Sequence, residues 1–125
     1  MKVIAVAIAL VAALALAVPA ASAKEGDVIR RGSCSGSSDW KLKLSPENGR
    51  IEAEFEVDQN QTGDTWRVRI RHEDQVALRT RARTRGASGS FSVRTVVDDL
   101  AGRDRFRARA RNLSTGEVCR GTATF

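Results

Sequence analysis

Thr65-Trp66-Arg67-Val68-Arg69-Ile70-Arg71-His72 alternates apolar and charged side chains without a break after its first residue. A strand turns successive side chains to opposite faces, so Trp66, Val68, Ile70 and His72 share one face and Arg67, Arg69 and Arg71 the other. A helix would wind the arginines around its circumference and leave no apolar stripe. The same period recurs outward in both directions. On the N-terminal side, Trp40, Leu42 and Leu44 alternate with Lys41 and Lys43, and Ile51, Ala53, Phe55 and Val57 with Glu52, Glu54, Glu56 and Asp58. On the C-terminal side, Leu78, Thr80 and Ala82 alternate with Arg79, Arg81 and Arg83, and Phe91, Val93, Thr95 and Val97 with Ser92, Arg94 and Val96. Phe106, Ala108 and Ala110 then face away from Arg105, Arg107, Arg109 and Arg111. Ala and Arg are good helix formers, but in residues 76–85 the alternation overrides propensity. Turn-forming clusters at 45–49, 59–64, 73–75, 85–89, 98–103 and 112–116 separate the runs. Seven or eight short strands and no helix predict an all-β fold, a single antiparallel β-sandwich, with a small β-barrel as the alternative.

Parity also predicts register. If 66–72 and 76–82 form a hairpin with both apolar sets on one face, a three-residue loop at 73–75 pairs Ile70 with Leu78, Val68 with Thr80 and Trp66 with Ala82. That register sets Arg69 opposite Arg79 and Arg67 opposite Arg81, and opposed like charges destabilise a ladder. Placing the acidic strand 51–57 alongside offers relief, with Glu56 beside Arg67, Glu54 beside Arg69 and Glu52 beside Arg71.

The first 23 residues read as an export signal. Lys2 is followed by an unbroken apolar run from Val3 to Val18, a break at Pro19, and small residues Ala21-Ser22-Ala23 at the cleavage positions. Sixteen apolar residues, many of them Ala, are short of the roughly 20 that span a bilayer, so no membrane span is expected after signal removal. The expected mature protein is one domain, residues 24–125, secreted and monomeric. Of those 102 residues 32 are apolar, and Val, Ile, Leu and Phe number 20, near the limit below which chains stay disordered. Half-buried antiparallel sheets resolve this, because only every second residue needs to be apolar. In an oxidising compartment the lone cysteine pair, Cys34 and Cys119, is expected to form a disulfide closing more than eighty residues.

The charge balance points to a class of partner rather than to chemistry. Arg67, Arg69, Arg71, Arg79, Arg81 and Arg83 stand at strand spacing, with more arginine on 105–111. Guanidinium forks suit phosphate, sulfate and carboxylate groups, making these six the candidate anion-binding residues. The competing reading is a solvated face neutralised by Glu52, Glu54 and Glu56, each surface pair contributing ~0–1 kcal/mol. The sequence favours that reading, because both Trp fall on the apolar parity and no stacking aromatic is interleaved with the arginines. The same gap counts against nucleic acid.

Three constellations suggest chemistry and do not sustain it. Gly32-Ser33-Cys34-Ser35-Gly36 has the form of a nucleophile elbow, which requires a strand-to-helix turn and an acid-positioned histidine. Here no helix follows, and Cys34 has a disulfide partner. Asp58, Asn60 and Asp64 space oxygen donors like the start of a calcium loop with Gly63 at the sixth position, but the twelfth is Arg69 where a bidentate Glu belongs. The pattern is read chiefly as a polar hairpin loop, with calcium as a weak candidate. His72 is expected to be a core residue at a hairpin end. Neither Glu73-Asp74 nor Asp98-Asp99 can bracket a scissile bond, since adjacent side chains diverge. No enzyme and no cofactor are expected.

The Ala-rich signal, Asp39-Trp40-Lys41-Leu42-Lys43, Glu52 to Val57, Thr65-Trp66-Arg67 and the closing Arg107-Ala108-Arg109 and Thr115-Gly116-Glu117-Val118-Cys119-Arg120-Gly121 resemble small secreted proteins of actinobacteria. That resemblance spans nearly the whole mature chain and implies an extracellular β-sandwich, with no activity attached. The cysteine near the C-terminus also resembles immunoglobulin-like sandwiches, in which Trp40 would pack on the disulfide. A bridge from first strand to last departs from their usual inter-sheet link. The expectation is a non-enzymatic module whose arginine face binds anionic envelope polymers or a secreted protein. The alternative is a protease-inhibitor-like protein presenting loop 84–90 or 98–104.

Overall fold

Every alternating segment forms a strand in the computed structural model, which describes residues 26–125. The expected signal, residues 1–23, lies outside the described residues. The strands are β1 (Val28–Ser33), β2 (Asp39–Glu47), β3 (Arg50–Asp58), β4 (Thr65–His72), β5 (Gln75–Arg83), β6 (Ser90–Asp98), β7 (Arg105–Asn112) and β8 (Val118–Thr124), with no helix among the described residues. They form two antiparallel four-stranded sheets, in the orders β1-β2-β3-β6 and β5-β4-β7-β8. β5 approaches β6 along one flank and β1 approaches β8 along the other, but no ladder joins the sheets, so the fold is a sandwich and not a closed barrel. In the immunoglobulin order one sheet runs A-B-E-D. Here β1, β2 and β3 are consecutive neighbours, so the sandwich architecture is shared and the strand order is not.

The apolar parity is the core. Leu42, Leu44, Ile51, Phe55 and Val57 from one sheet meet Trp66, Val68, Ile70 and Phe106 from the other, all fully buried. Burying side chains of this size stabilises by ~1.5–3 kcal/mol each before entropy is charged. The β1–β8 flank is closed by Trp40, whose indole lies between two glycines. A Cβ on Gly32 would stand 2.6 Å from Trp40 Cζ2, and one on Gly121 2.7 Å from Cζ3. No residue with a side chain fits there without moving the ring. Beside it the Cys34–Cys119 disulfide joins the segment after β1 to β8 across 85 residues.

The β4–β5 register is the one parity predicts: Ile70 opposite Leu78, Val68 opposite Thr80 and Trp66 opposite Ala82. The turn is tighter than expected. His72 pairs with Gln75 over Glu73-Asp74, and a bulge in β5 at Ala77 absorbs the extra residue. Glu73 takes a left-handed backbone, with φ of 52°. One expectation is overturned. β3 does not flank β4; it lies between β2 and β6 in the other sheet. Alternation cannot distinguish these arrangements, since two strands with one apolar face each satisfy it equally in one sheet or in facing sheets. The crossing is made by residues 59–64. There Gln59 accepts from Trp66 Nε1 at 3.0 Å and donates to Asp64 at 2.6 Å, while its backbone N–H donates to Gly89.

Candidate anion-binding face

Sheet β5-β4-β7-β8 faces outward with Arg67, Arg69 and Arg71 of β4, Arg79, Arg81 and Arg83 of β5, Arg105, Arg107, Arg109 and Arg111 of β7, and Arg120 of β8. These are eleven arginines, and no outward strand position on this sheet is Asp or Glu. They stand in register. One row, Arg79–Arg69–Arg109–Arg120, crosses all four strands. On one side of it runs Arg81–Arg67–Arg111, and on the other Arg71–Arg107 followed by Thr122. Neighbours across strands are ~4.8 Å apart at the backbone and neighbours along a strand ~6.8 Å, so the guanidinium groups form a close two-dimensional array.

The neutralisation expected from β3 does not occur. Its glutamates lie on the outer face of the opposite sheet, where Glu56 meets Lys41 at 3.7 Å and Glu54 meets Arg94 at 2.8 Å. That face carries five cations, Arg31, Lys41, Lys43, Arg50 and Arg94, against seven anions, Asp39, Glu47, Glu52, Glu54, Glu56, Asp58 and Asp98. Among the described residues no carboxylate pairs with any of the eleven arginines. The sandwich is thus strongly polarised, cationic on one sheet and slightly anionic on the other. Arg69, at the centre, registers this. Burial first, then repulsion from Arg71, Arg109 and Arg79, lowers its guanidinium from the ordinary range. Two shallow cavities open along the array. One of about 570 Å³ is lined by Arg67, Arg69, Arg79, Arg81 and Arg109, and one of about 510 Å³ by Arg69, Arg71, Arg105, Arg107, Arg109, Arg120 and Thr122. They share Arg69 and Arg109, which line both.

All six arginines expected from the sequence lie on this face, and β7 extends it. Arg120 was missed. The signal was available, because the disulfide turns Cys119 inward and so turns its neighbour outward. The weak calcium positions are not brought together as a ligand set. Asp58 Oδ1 accepts the Asn60 N–H at 3.0 Å, a turn-forming contact. Asp64 Oδ2 instead accepts from Gln59 at 2.6 Å and from Asn112 Nδ2 at 2.9 Å. Asn112 itself is fully buried, its Oδ1 accepting the Ser114 and Thr115 N–H groups. Cys34 is committed to the disulfide and offers no thiol. The two loops of the inhibitor-like alternative lie at opposite ends of β6. Arg85 bridges Ser90 across the first, and Asp104 ties the second to the C-terminal Phe125 through paired backbone hydrogen bonds.

His72 is buried as expected, but its partner was not foreseen. Nε2 lies 2.6 Å from Oδ1 of the fully buried Asp104, and the ring stacks on Phe106 with centroids 4.8 Å apart. Nothing in the loop 98–104 marks Asp104 as interior, because its burial depends on Phe125 and β4. With Glu73, these residues bring three potential metal-ligand atoms within 4.8 Å of one another. One oxygen of each carboxylate already serves the fold: Glu73 Oε1 accepts the Arg105 N–H at 2.7 Å and Asp104 Oδ1 the Leu100 N–H at 3.1 Å. The cluster pins the β4–β5 turn to the β6–β7 loop.

The two amide donors hold the Asp64 carboxyl below the usual carboxylate range, the Asn112 contact contributing most and Gln59 next. A folded value below the unfolded one, ~3.9, adds stability that is present above that pH and lost as pH falls through the folded value. Asp64→Asn is therefore expected to flatten the decline of melting temperature below about pH 4. An unchanged acid limb would reject the role.

No protein-family model, no curated protein and no solved structure matches this chain.

Proposed function

We propose that the chain is a secreted, non-enzymatic module that binds anionic cell-envelope polymers through its arginine face. One observation carries this reading: six cross-strand contacts in the sheet set arginine directly opposite arginine, with no carboxylate interposed. Opposed like charges cost ~0.2–1 kcal/mol per pair. In a small domain whose net stability is ~5–15 kcal/mol, six such pairs are a substantial burden. A polyanion laid over the sheet converts that repulsion into charge-assisted hydrogen bonds. The face offers no aromatic platform: Trp66, Phe55, Phe91, Phe106 and Phe125 are all buried, which favours a polymer without bases. Export of residues 24–125 after cleavage of the signal, in the manner of small actinobacterial secreted proteins, places the module beside such polymers.

The test is chromatography of the mature protein on heparin and on purified anionic cell-wall polymer. Retention at low salt that disappears steeply as ionic strength rises is the expected result. Flow-through at 50 mM salt on both media would reject the reading.

A further inference from the structure

Four strands lie at the edges of the two sheets, and three of them are guarded against pairing with another chain. β1 carries Arg30 and Arg31, β5 carries Arg79, Arg81 and Arg83 together with its bulge, and β8 carries Arg120 and packs on Trp40. Charges and bulges of this kind blunt an edge. β6 differs. Its Ser90 end bridges Arg85, and beyond that, among the described residues, its ladder partner is β3 alone. Its two charged side chains are drawn back from the edge, Arg94 to Glu54 at 2.8 Å and Asp98 to Arg50 at 3.2 Å. Between them lies Thr95-Val96-Val97, a β-branched run suited to a pleated sheet. Val93, Thr95 and Val97 have the inward parity and are only half-buried, whereas Cys119, Gly121 and Ala123 on the opposite flank are buried.

We propose that β6 is a self-association edge, at which two copies of this chain pair antiparallel and continue the sheet β1-β2-β3-β6 into a second copy of itself. A dyad perpendicular to a sheet preserves its faces, so each residue must pair with one of its own parity. Centring the dyad on Arg94 or Asp98 sets that charge opposite itself. Centring it on Val93, Thr95 or Val97 leaves Arg94 and Asp98 apart. Centred on Val96, it sets Arg94 of each copy opposite Asp98 of the other, Thr95 opposite Val97, and Val96 opposite itself. The row Lys43–Glu54–Arg94 of one copy is then continued by Asp98–Arg50–Glu47 of the other, and the charges alternate in sign across six strands. Opposite charges facing each other across a seam stabilise it, and the isologous contact closes at two copies. Pairing at β6 is independent of what the arginine face binds, and it replaces the monomer expected from the sequence with a dimer. The same dyad turns both arginine faces to one side, where a Debye length of about 8 Å at physiological salt limits their repulsion.

The experiment is sedimentation velocity of the mature protein at physiological salt, over concentrations up to about 1 mM, on the wild type, Arg94→Glu and Asp98→Lys. The wild type is expected to pass from monomer to dimer as concentration rises. Either variant alone opposes like charges at both ends of the seam and should lose about tenfold or more in association. Mixed in equal amounts, the two variants restore an opposite-charge pair at each end, and dimer should return to the wild-type level. Melting curves confirm that each variant is folded, as expected for substitutions at exposed positions. A wild type that stays monomeric throughout the series, or assembly that grows beyond two copies, would overturn the pairing. Variants that associate as the wild type does, or a mixture that associates no better than its components, would overturn it equally.

Discussion

Replacing Arg69, Arg79 and Arg109 with glutamine is expected to abolish retention on an anionic polymer at physiological salt and, in the same protein, to raise the melting temperature. These residues occupy three consecutive positions of the row that crosses the sheet. Three lost charge-assisted contacts weaken binding by at least about a hundredfold. Stability moves the other way. The substitution removes the pairs Arg79–Arg69, Arg69–Arg109 and Arg109–Arg120, each opposing folding by ~0.2–1 kcal/mol. A net gain of roughly 1–2 kcal/mol corresponds to about 4–10 °C in a domain of this size. Glutamine retains part of the apolar stem, so lost packing does not obscure the sign. The matched control, Arg30, Arg31 and Arg50 to glutamine, removes equal charge outside the array. If the two triple variants lose retention equally, net charge and not the face is responsible. A large loss of stability in the first would refute the claim that the array is under repulsive strain.

Removing the disulfide with Cys34→Ala and Cys119→Ala is expected to lower stability by ~4–5 kcal/mol, because a closure of 85 residues restricts the unfolded chain severely. The melting temperature should fall by about 20 °C. The effect resides in the unfolded ensemble, since the native flank has other fastenings. Glu117 accepts hydrogen bonds from Gly36 N at 2.9 Å, Ser38 N at 2.9 Å and Ser38 Oγ at 2.6 Å, and Ser35 and Val118 exchange two more. Trp40 stays lodged between Gly32 and Gly121. The variant should therefore bind anionic polymer as the parent does at temperatures where it remains folded. A loss below about 1 kcal/mol would reject the chain-entropy account, and lost binding in folded protein would show that the bridge shapes the face.

The strands with strict alternation were legible because a buried surface on one side of a sheet demands period two, and residues 40–58, 66–83 and 91–110 have it. β1 was not. Val-Ile-Arg-Arg-Gly-Ser alternates poorly, and its burial follows no clean period, because it is an edge strand held by pairing to β2 and by the Trp40 seat. The polar network of Gln59, Asp64, Thr84 and Asn112 was equally hidden. Its members come from three separate segments and are joined only when the loops meet at one end of the sandwich. Asp104 is a further case, a carboxylate in a polar loop that the C-terminal residue and His72 draw inside.

From the order of residues alone follow the extended backbone, the inward parity of Leu42, Phe55, Trp66 and Ile70, the β4–β5 register and the cysteine pairing, since each depends on neighbours or on a single hairpin. Which sheet each strand joins does not follow, because a strand with one apolar face is equally content in either. That choice separated Glu52, Glu54 and Glu56 from the arginines of β4 and set β7 in their place. Charges that read as mutually neutralising along the chain are held on opposite sides of the core, and the array of arginine exists only because the sandwich folds them apart.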